Sequence, residues 1–441
     1  MIKLKTLFIF TFFFGCVKSE FTIDNVNYQL DNVKIFGGSN DDQANDIINT
    51  VDGGFMVIGS SKSSDGLIQN KIGSESNIIL MKFDSGKSLE WVKNYGGSRD
   101  DRGQSIVEVQ GIGYAILGYS MSDDGDASNN EGFHDNWVIM IDLKGNIVWE
   151  KSYGFSGHDH GYNIIRTKDG NMFFNGFLDV TASRGLGSSG KEVKSIKHGV
   201  GEFWCHKIDL EGNILWRKYF GGTNNDRSYD SIETAKGDFI IVGSSESNDN
   251  DISFPKGSYD IWVIKLSSNG DFLWERSYGG SKYETANSII QSLDNKIYIL
   301  GSTLSNDKDV SFQIGNSDFW LLTLDSNGNL LGEQTFGGSN FDMGKKIEID
   351  NRDNLWLTGY SRSFDFDSNS NKGKNDAVLI QLSKNRILKE FLTIGAEGED
   401  IANSLIHFNE NEIIVAGYSD SKEGFFSENK GGKDIFLAFF K

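Results

Sequence analysis

One short pattern recurs along almost the whole chain. An aromatic residue followed by Gly-Gly-Ser or Gly-Gly-Thr occurs five times, and two degenerate copies complete the series. The position of the second glycine falls at residues 38, 97, 155, 222, 280, 338 and 396, so neighbouring copies lie 58 or 59 residues apart, apart from one step of 67. A fixed period of this size predicts a repeat architecture rather than a series of unrelated domains.

Two further columns keep the same register. Four residues after each of these positions stands an acid, namely Asp42, Asp101, Asp159, Asp226, Glu284, Asp342 and Asp400. Twenty-one residues after each position stands a glycine, namely Gly59, Gly118, Gly176, Gly243, Gly301, Gly359 and Gly417. All seven copies match in both columns, which fixes the register of the repeat.

Each copy reads as four short strands. In the second copy, β-branched and aromatic runs cover residues 105–109, 114–119, 136–141 and 147–153, separated by turn residues. Four antiparallel strands repeated seven times predict an all-β fold, a seven-bladed β-propeller. The last copy stops after its third strand, and the segment at about residues 27–36 is a fourth strand without a copy of its own. We expect that N-terminal strand to complete the last blade and close the ring, because closure removes an exposed sheet edge.

The N-terminus predicts export. Lys3 and Lys5 precede a short apolar run at residues 6–14, as in a secretory signal peptide, and the run is too short to span a bilayer. Two processing routes stay open: removal of residues 1–19, or acylation of Cys16 at a segment that resembles a bacterial lipobox. Residues 20–441 would then form one propeller, either secreted or held at the outer surface through a lipid anchor.

Charge and motifs narrow the function. The chain has 43 Lys and Arg against 62 Asp and Glu, a net charge of −19, which disfavours nucleic-acid binding. Two cysteines, Cys16 and Cys205, give no disulfide framework. The sequence contains no Gly-x-Ser-x-Gly elbow, no His-Glu-x-x-His helix and no phosphate-binding loop.

The repeat resembles a known family. The best-preserved copies, such as those at Trp91 and Trp274, carry Trp-x-x-x-(Tyr/Phe)-Gly-Gly-Ser, then an acid, Ser-Ile and a glycine-rich turn, and a segment like Asp-x-Trp-Val-Ile-Lys-Leu belongs to the same pattern. This combination resembles the SBBP-type β-propeller repeats of bacterial exported proteins, and the resemblance extends from residue 36 to residue 441. It implies a surface scaffold and no defined activity.

The third copy departs from the others. It is nine residues longer than the 58-residue copies, which accounts for the one step of 67. Its glycine loop has become Phe155-Ser156-Gly157-His158-Asp159-His160. Strand order places this loop on the same face of the ring as the long loop between the second and third strands of each blade. The candidate ligand-binding residues on that face are His134, His158, Asp159, His160 and His198.

These residues suggest a metal. Clustered imidazoles bind Zn²⁺ or another transition metal, and they can also serve as acid–base groups. Metal affinity should fall below about pH 6.5, because protonated imidazoles do not bind metals. Repeat drift with solvated loop histidines is the competing interpretation.

A second candidate cofactor is calcium. Paired aspartates follow the column glycine in four copies: Asp124 and Asp126, Asp249 and Asp251, Asp307 and Asp309, and Asp365 and Asp367. Alternating carboxylates in a loop suit a hard cation. The competing interpretation is that these aspartates only stabilise turns.

The sequence therefore predicts a non-enzymatic binding scaffold for a glycan or an extracellular protein, which contacts its partner through the loop face. A carbohydrate-active enzyme with a site on that face, and a purely structural surface module, are the alternatives. The regular tryptophans Trp137, Trp204, Trp262 and Trp320 are interpreted as core rather than as sugar platforms.

Overall fold

The computed structural model describes residues 28–189, 198–366 and 371–441. These residues form seven four-stranded antiparallel sheets arranged as the blades of a ring, so the predicted seven-bladed β-propeller is confirmed. Residues 1–27 lie outside the described part, and with them the signal segment and Cys16. No helix in the described ranges is long and apolar enough to cross a membrane.

Every blade has the same order from the inner to the outer strand. Blade 7 takes its outer strand from the N-terminus, as β1 (Leu30–Phe36). Blade 1 contains β2 (Asp42–Asn49), β3 (Phe55–Ser61), β4 (Asn77–Phe83) and β5 (Leu89–Tyr95). Blade 2 contains β6 (Asp101–Val109), β7 (Gly113–Ser120), β8 (Asp135–Asp142) and β9 (Ile147–Tyr153). Blade 3 contains β10 (His160–Arg166), β11 (Met172–Leu178), the short helix α1 (Val180–Ser183), β12 (Glu202–Ile208) and β13 (Ile214–Phe220).

The other blades follow the same plan. Blade 4 contains β14 (Asp226–Glu233), β15 (Phe239–Ser245), β16 (Asp260–Leu266) and β17 (Phe272–Tyr278). Blade 5 contains β18 (Glu284–Gln291), β19 (Ile297–Thr303), β20 (Asp318–Leu324) and β21 (Leu330–Phe336). Blade 6 contains β22 (Asp342–Ile349), β23 (Leu355–Ser361), β24 (Asp376–Leu382) and β25 (Leu388–Ile394). Blade 7 is completed by β26 (Asp400–Asn409), β27 (Glu412–Ser419), a 3₁₀ turn (Gly424–Phe426) and β28 (Asp434–Phe440).

The two ends of the chain close the ring. Strand β1 pairs antiparallel with β28, from Leu30 opposite Phe440 to Phe36 opposite Ile435. The backbones of Gln29 and Lys441 extend this pairing with hydrogen bonds in both directions. The predicted closure by the N-terminal strand is confirmed, and it leaves blade 7 with the same four strands as its neighbours.

The core lies between neighbouring blades. The regular tryptophans of the third strands have at most 1% of their surface exposed, so their interpretation as core is confirmed; they are Trp137, Trp204, Trp262 and Trp320. Three of their indole N–H groups donate to a carboxylate on the outer strand of the same blade: Trp137 to Glu150, Trp262 to Glu275 and Trp320 to Glu333. The polar end of each large apolar side chain is thereby satisfied.

The column glycines permit a bulge that shapes the channel. A Cβ atom on Gly59 would lie 1.8 Å from the carbonyl oxygen of Gln43, which is a severe clash. At the other six column glycines the corresponding distance to a carbonyl oxygen is 1.7–2.0 Å. Next to this contact the inner strand shifts register, for example between Ala44 and Asp46. Because a bulge re-aims side chains, two consecutive residues of each inner strand can face the ring axis.

The column acids hold the loops on one face, which we call the loop face. The carboxylate of Asp42 accepts hydrogen bonds from the backbone N–H of Gly38 and from the hydroxyls of Ser61 and Ser63. A serine pair of this kind also donates to Asp101, Asp226, Asp342 and Asp400, whereas Glu284 accepts from the hydroxyl of Thr303. The glycine loops and the long loops are thus tied together on the loop face.

Candidate metal centre

At each contact between neighbouring blades, which we call a junction, two loop residues meet on the loop face. One residue precedes the third strand of a blade, and the other lies three positions after the second-glycine position of the next blade. They are paired as Tyr259 with Tyr283 and as Ser317 with Phe341. At the junction of blades 2 and 3 the same positions hold His134 and His158, beside a backbone hydrogen bond of 2.6 Å from Asp159 N–H to His134 C=O.

Three of the predicted histidines come together at this junction. The Nδ1 atoms of His134 and His158 are 3.1 Å apart. His160 completes the group, and one ligand atom from each of the three residues lies within 4.8 Å of the others. Among the described residues this is the one group of three or more His, Cys, Asp or Glu side chains with such a geometry.

His160 is positioned by packing. Its ring stacks on Tyr119 at a centroid distance of 4.0 Å, and its Nδ1 lies 3.5 Å from the hydroxyl of Tyr162. Its Nε2 is buried and has no hydrogen-bond partner among the described residues. Burial, together with the neighbouring His134 and His158, lowers the pKa of His160 to about 3. The imidazole is therefore neutral at physiological pH, with a nitrogen available for a metal.

His134 is oriented by a carboxylate. Its Nε2 lies 3.3 Å from Oδ2 of Asp100, which is the junction residue of the preceding blade contact. Although burial raises the pKa of Asp100, hydrogen bonds from His134 and Arg102 bring it down to about 2, so the carboxylate stays ionised. A carboxylate that accepts from one ring nitrogen fixes the tautomer and leaves the other nitrogen, here Nδ1, for a metal.

The arrangement fits a transition-metal ion. Two nitrogens 3.1 Å apart can both bind one zinc ion at about 2.0–2.1 Å. Tetrahedral ligands at that bond length are about 3.4 Å apart. Because the ligand nitrogen of His160 lies within 4.8 Å of the other two, it must move by at most about 1.5 Å to bind the same ion. Imidazole ligands suit zinc, copper, iron or nickel better than calcium. Three protein ligands leave at least one coordination position for a water or for a ligand of another molecule.

Two predicted residues lie outside this cluster. The carboxylate of Asp159 faces its own blade, where it accepts from the N–H groups of Phe155 and Asp179, and burial raises its pKa to about 8. His198 lies on the other side of blade 3, with its Nδ1 3.3 Å from Oε2 of Glu202 and its ring edge against Tyr219. Neither residue belongs to the three-histidine group.

The local sequence of blade 3 explains how the loop changed. Where the other blades have a serine or threonine pair two and four residues after the column glycine, blade 3 has Leu178 and Val180. Asp179, between them, caps α1 by accepting from Ala182 N–H at 2.9 Å. The hydroxyl of Ser156 donates to the carbonyl of Ala182, so the helix supports the altered loop. His158 and His160 replace the residues that in blade 5 are Tyr283 and Thr285.

The paired aspartates make loop hydrogen bonds. The first aspartate of each pair accepts from the serine or threonine N–H of its glycine loop: Asp124 from Ser98, Asp249 from Thr223, Asp307 from Ser281 and Asp365 from Ser339. The second accepts from the first glycine: Asp126 from Gly96, Asp251 from Gly221 and Asp309 from Gly279. Asp367 lies outside the described residues. This is the turn-stabilising role, and calcium binding at these loops stays a prediction.

Sequence reasoning missed three residues of the site. Asp100, Tyr119 and Tyr162 position the histidines, yet none of them stands out in a linear reading. One signal was available. At every junction the residue before the third strand accepts a backbone hydrogen bond from the column acid of the next copy. The residue before the third strand and the residue just before that acid are both histidine only at His134 and His158.

The comparisons with known proteins agree on the fold. No protein-family model and no curated protein matches the chain. The WD40 domain of Pan2 from Neurospora crassa is similar in structure, with 10% identity, a TM-score of 0.51, and coverage of 93% of this chain and 95% of that one. A puromycin hydrolase has 9% identity and a TM-score of 0.50 over 87% of this chain and 51% of its own. A protein of unknown function from Dyadobacter fermentans has 9% identity and a TM-score of 0.48 over 94% and 99% of the two chains. At such low identity the likenesses to the WD40 domain and to the puromycin hydrolase show the fold alone.

Proposed function

We propose that this protein is a non-enzymatic extracellular binding scaffold that holds a zinc-type metal ion on its loop face. His134, His158 and His160 would bind the ion at the junction of blades 2 and 3. A carboxylate or imidazole of a protein or glycan partner would fill the open coordination position. A propeller scaffold fits a binding or structural role, and the metal would give this one a defined contact point.

The observation that carries this proposal is the combination of three ring nitrogens within 4.8 Å and a buried Nε2 of His160 without a partner. A buried polar atom left without a hydrogen bond costs about 1–3 kcal/mol, so its retention calls for an explanation. A bound ion supplies that explanation. The pairing of His134 with Asp100 supports it, because such a carboxylate is the usual second partner of a metal-binding imidazole.

Isothermal titration of the metal-free protein with Zn²⁺ tests the proposal. We expect one equivalent of Zn²⁺ to bind to the parent protein. The double variant His158→Ala/His160→Ala should bind Zn²⁺ at least 100-fold more weakly. The matched control is Ser317→Ala/Phe341→Ala at the junction of blades 5 and 6, which should bind as the parent does. Equal zinc binding by the histidine variant, with its melting curve unchanged, would overturn the metal centre.

A second experiment separates binding from catalysis. The zinc-loaded protein is incubated with a panel of polysaccharides and extracellular proteins, and both retention and product formation are measured. Zinc-dependent retention without new chain ends supports a scaffold. Release of oligosaccharides that is lost in His158→Ala/His160→Ala would instead support a metal-dependent hydrolase.

A further inference from the structure

A second feature lies on the ring axis. The inner strands enclose a cavity of about 440 Å³, within the size range of about 300–1,000 Å³ that small-molecule sites have. Its walls carry the consecutive residue pairs that the strand bulges turn toward the axis, such as Tyr162 and Asn163 in blade 3 and Lys345 and Lys346 in blade 6. These residues lie near the start of each inner strand, so the cavity lies toward the loop face.

Blade 6 departs from the other blades at this cavity. The first residue of the turned pair is an asparagine in three blades, and its amide donates to the inner strand of the next blade: Asn45 to Gly103 O at 2.6 Å, Asn287 to Gly344 O at 2.6 Å and Asn403 to Ala44 O at 2.8 Å. In blade 6 this residue is Lys345, and the next one is Lys346. Two positions further, where the other blades have isoleucine or valine, blade 6 has Glu348.

Lys346 is balanced by carboxylates of the protein. Burial opposes its charge, but Asp230 and Asp46 outweigh that effect and raise its pKa above the usual value. Those two aspartates are themselves held by serine hydroxyls of neighbouring blades: Ser404 donates to Asp46 and Ser288 to Asp230, each at 2.9 Å. Asp46, Asp230 and the serines that donate to them thus place negative charge around Lys346.

Lys345 lacks this compensation. Burial lowers its pKa, and no carboxylate of the described residues raises it again. No Asp or Glu oxygen of the described chain lies within 4.0 Å of its Nζ, which is 6.0 Å from the ring centroid of Tyr360. A lysine ammonium inside a cavity without a counter-charge is costly, and an anionic group of a ligand would supply the missing charge.

The rest of the wall indicates the class of ligand. Tyr162, Tyr229 and Tyr283 line the cavity from blades 3, 4 and 5, and Asn45 and Asn403 add amide groups. Aromatic rings offer flat apolar faces, while tyrosine hydroxyls and amides bond to hydroxyl groups. We propose that the axial cavity binds a carboxylated sugar, such as a hexuronic acid unit, with the sugar carboxylate on Lys345 and its hydroxyls on the asparagines and tyrosines.

This site is separate from the proposed metal centre. No member of the three-histidine group lines the cavity, although the hydroxyl of Tyr162 lies 3.5 Å from Nδ1 of His160. Sugar binding at Lys345 should therefore persist when metal is removed, which makes the failure of one proposal distinguishable from the failure of the other.

The test compares two ligands that differ only at C6. Methyl glucuronide and methyl glucoside are titrated into the protein in the presence of EDTA, and binding is followed by calorimetry. We expect the glucuronide to bind at least tenfold more tightly. Lys345→Met should remove this preference, whereas Lys144→Met at an exposed turn should keep it.

Several outcomes would overturn the proposal. These are equal affinity for both sugars, binding of neither, an unchanged preference in Lys345→Met, or loss of glucuronide binding in EDTA, which would place the carboxylate on the metal instead. If Lys345→Met unfolds, Lys345→Gln replaces it, since an amide keeps most of the side-chain length without the charge. The melting temperature of each variant is measured first, so that lost binding is not mistaken for lost fold.

Discussion

Two junctions share the same backbone arrangement but carry different side chains: the junction of blades 2 and 3, and the junction of blades 4 and 5. In both, a column acid donates its N–H to the carbonyl of the residue before the preceding third strand: Asp159 to His134 at 2.6 Å, and Glu284 to Tyr259 at 2.9 Å. The facing side chains are His134 and His158 in one junction. In the other they are Tyr259 and Tyr283, whose ring centroids are 4.9 Å apart. The repeat therefore determines where two side chains meet, and their identity alone decides what they can bind.

The loops around the two junctions are stabilised differently. In blade 5 the glycine loop is held by Asp307 and Asp309, which accept from Ser281 and Gly279. In blade 3 no aspartate pair follows the second strand, and Asp179 and α1 take its place. Blade 3 thus has the same column acid, Asp159, as the regular blades but a different set of contacts around it.

Transplanting the histidines makes the strongest test of this comparison. The triple variant Tyr259→His/Tyr283→His/Thr285→His places imidazoles at the positions of His134, His158 and His160. If the shared backbone is sufficient, zinc titration should rise from one to two equivalents. A stoichiometry that stays at one in a folded variant would show that Asp100 and Tyr119, which blade 4 does not reproduce, are needed as well.

Removal of the orienting carboxylate should have a smaller effect. Asp100→Asn should weaken zinc affinity by about 10–100-fold, the usual effect of losing such a partner, because the amide no longer fixes the tautomer of His134. Glu399→Gln, at the equivalent junction position between blades 6 and 7, is the matched control. Competition with a chromophoric zinc chelator measures both affinities. Equal affinity in Asp100→Asn and the parent would remove Asp100 from the site.

The smallest expected effect is a pH dependence of stability. Burial raises the pKa of Asp159 to about 8 and those of Asp135 and Glu348 to about 7. Between pH 6.5 and 8.5 the folded state thus holds protons that the unfolded state has lost, so stability falls as pH rises. Histidines whose pKa burial lowers have the opposite effect on stability, which is nearly complete by about pH 7.5 because the unfolded state has then lost those protons.

We expect the melting temperature in EDTA to fall by roughly 2–5 °C between pH 6.5 and 8.5. Asp159→Asn should flatten this dependence, because an amide does not titrate. A melting temperature that is constant or rises over this range in the parent protein would contradict the assigned protonation of Asp159.

The fold was predictable because its signals are periodic. The acid and glycine columns recur in all seven copies, and the missing fourth strand of the last copy pointed to closure by β1. Periodicity also gave the face on which His134, His158 and His160 meet. It could not decide that His198 lies with Glu202 and Tyr219 instead, because an insertion has no equivalent position in other copies.

Other parts of the site depend on contacts across blades. Asp100 reaches His134 from the preceding junction, and Tyr119 stacks on His160 from the second strand of blade 2. Lys346 is paired with Asp46 and Asp230, which come from strands far apart in sequence, whereas Lys345 has no such carboxylate among the described residues. Side-chain geometry between distant segments is set by the closed ring, so a linear pattern does not contain it.

The most direct measurement on the metal centre is X-ray absorption at the zinc edge of the protein loaded with one equivalent. We expect three imidazole nitrogens at about 2.0–2.1 Å and one or two further light atoms, with at least one imidazole lost in His160→Ala. A spectrum with no more than one imidazole, or one that is the same in the parent and His160→Ala, would contradict a centre built from His134, His158 and His160.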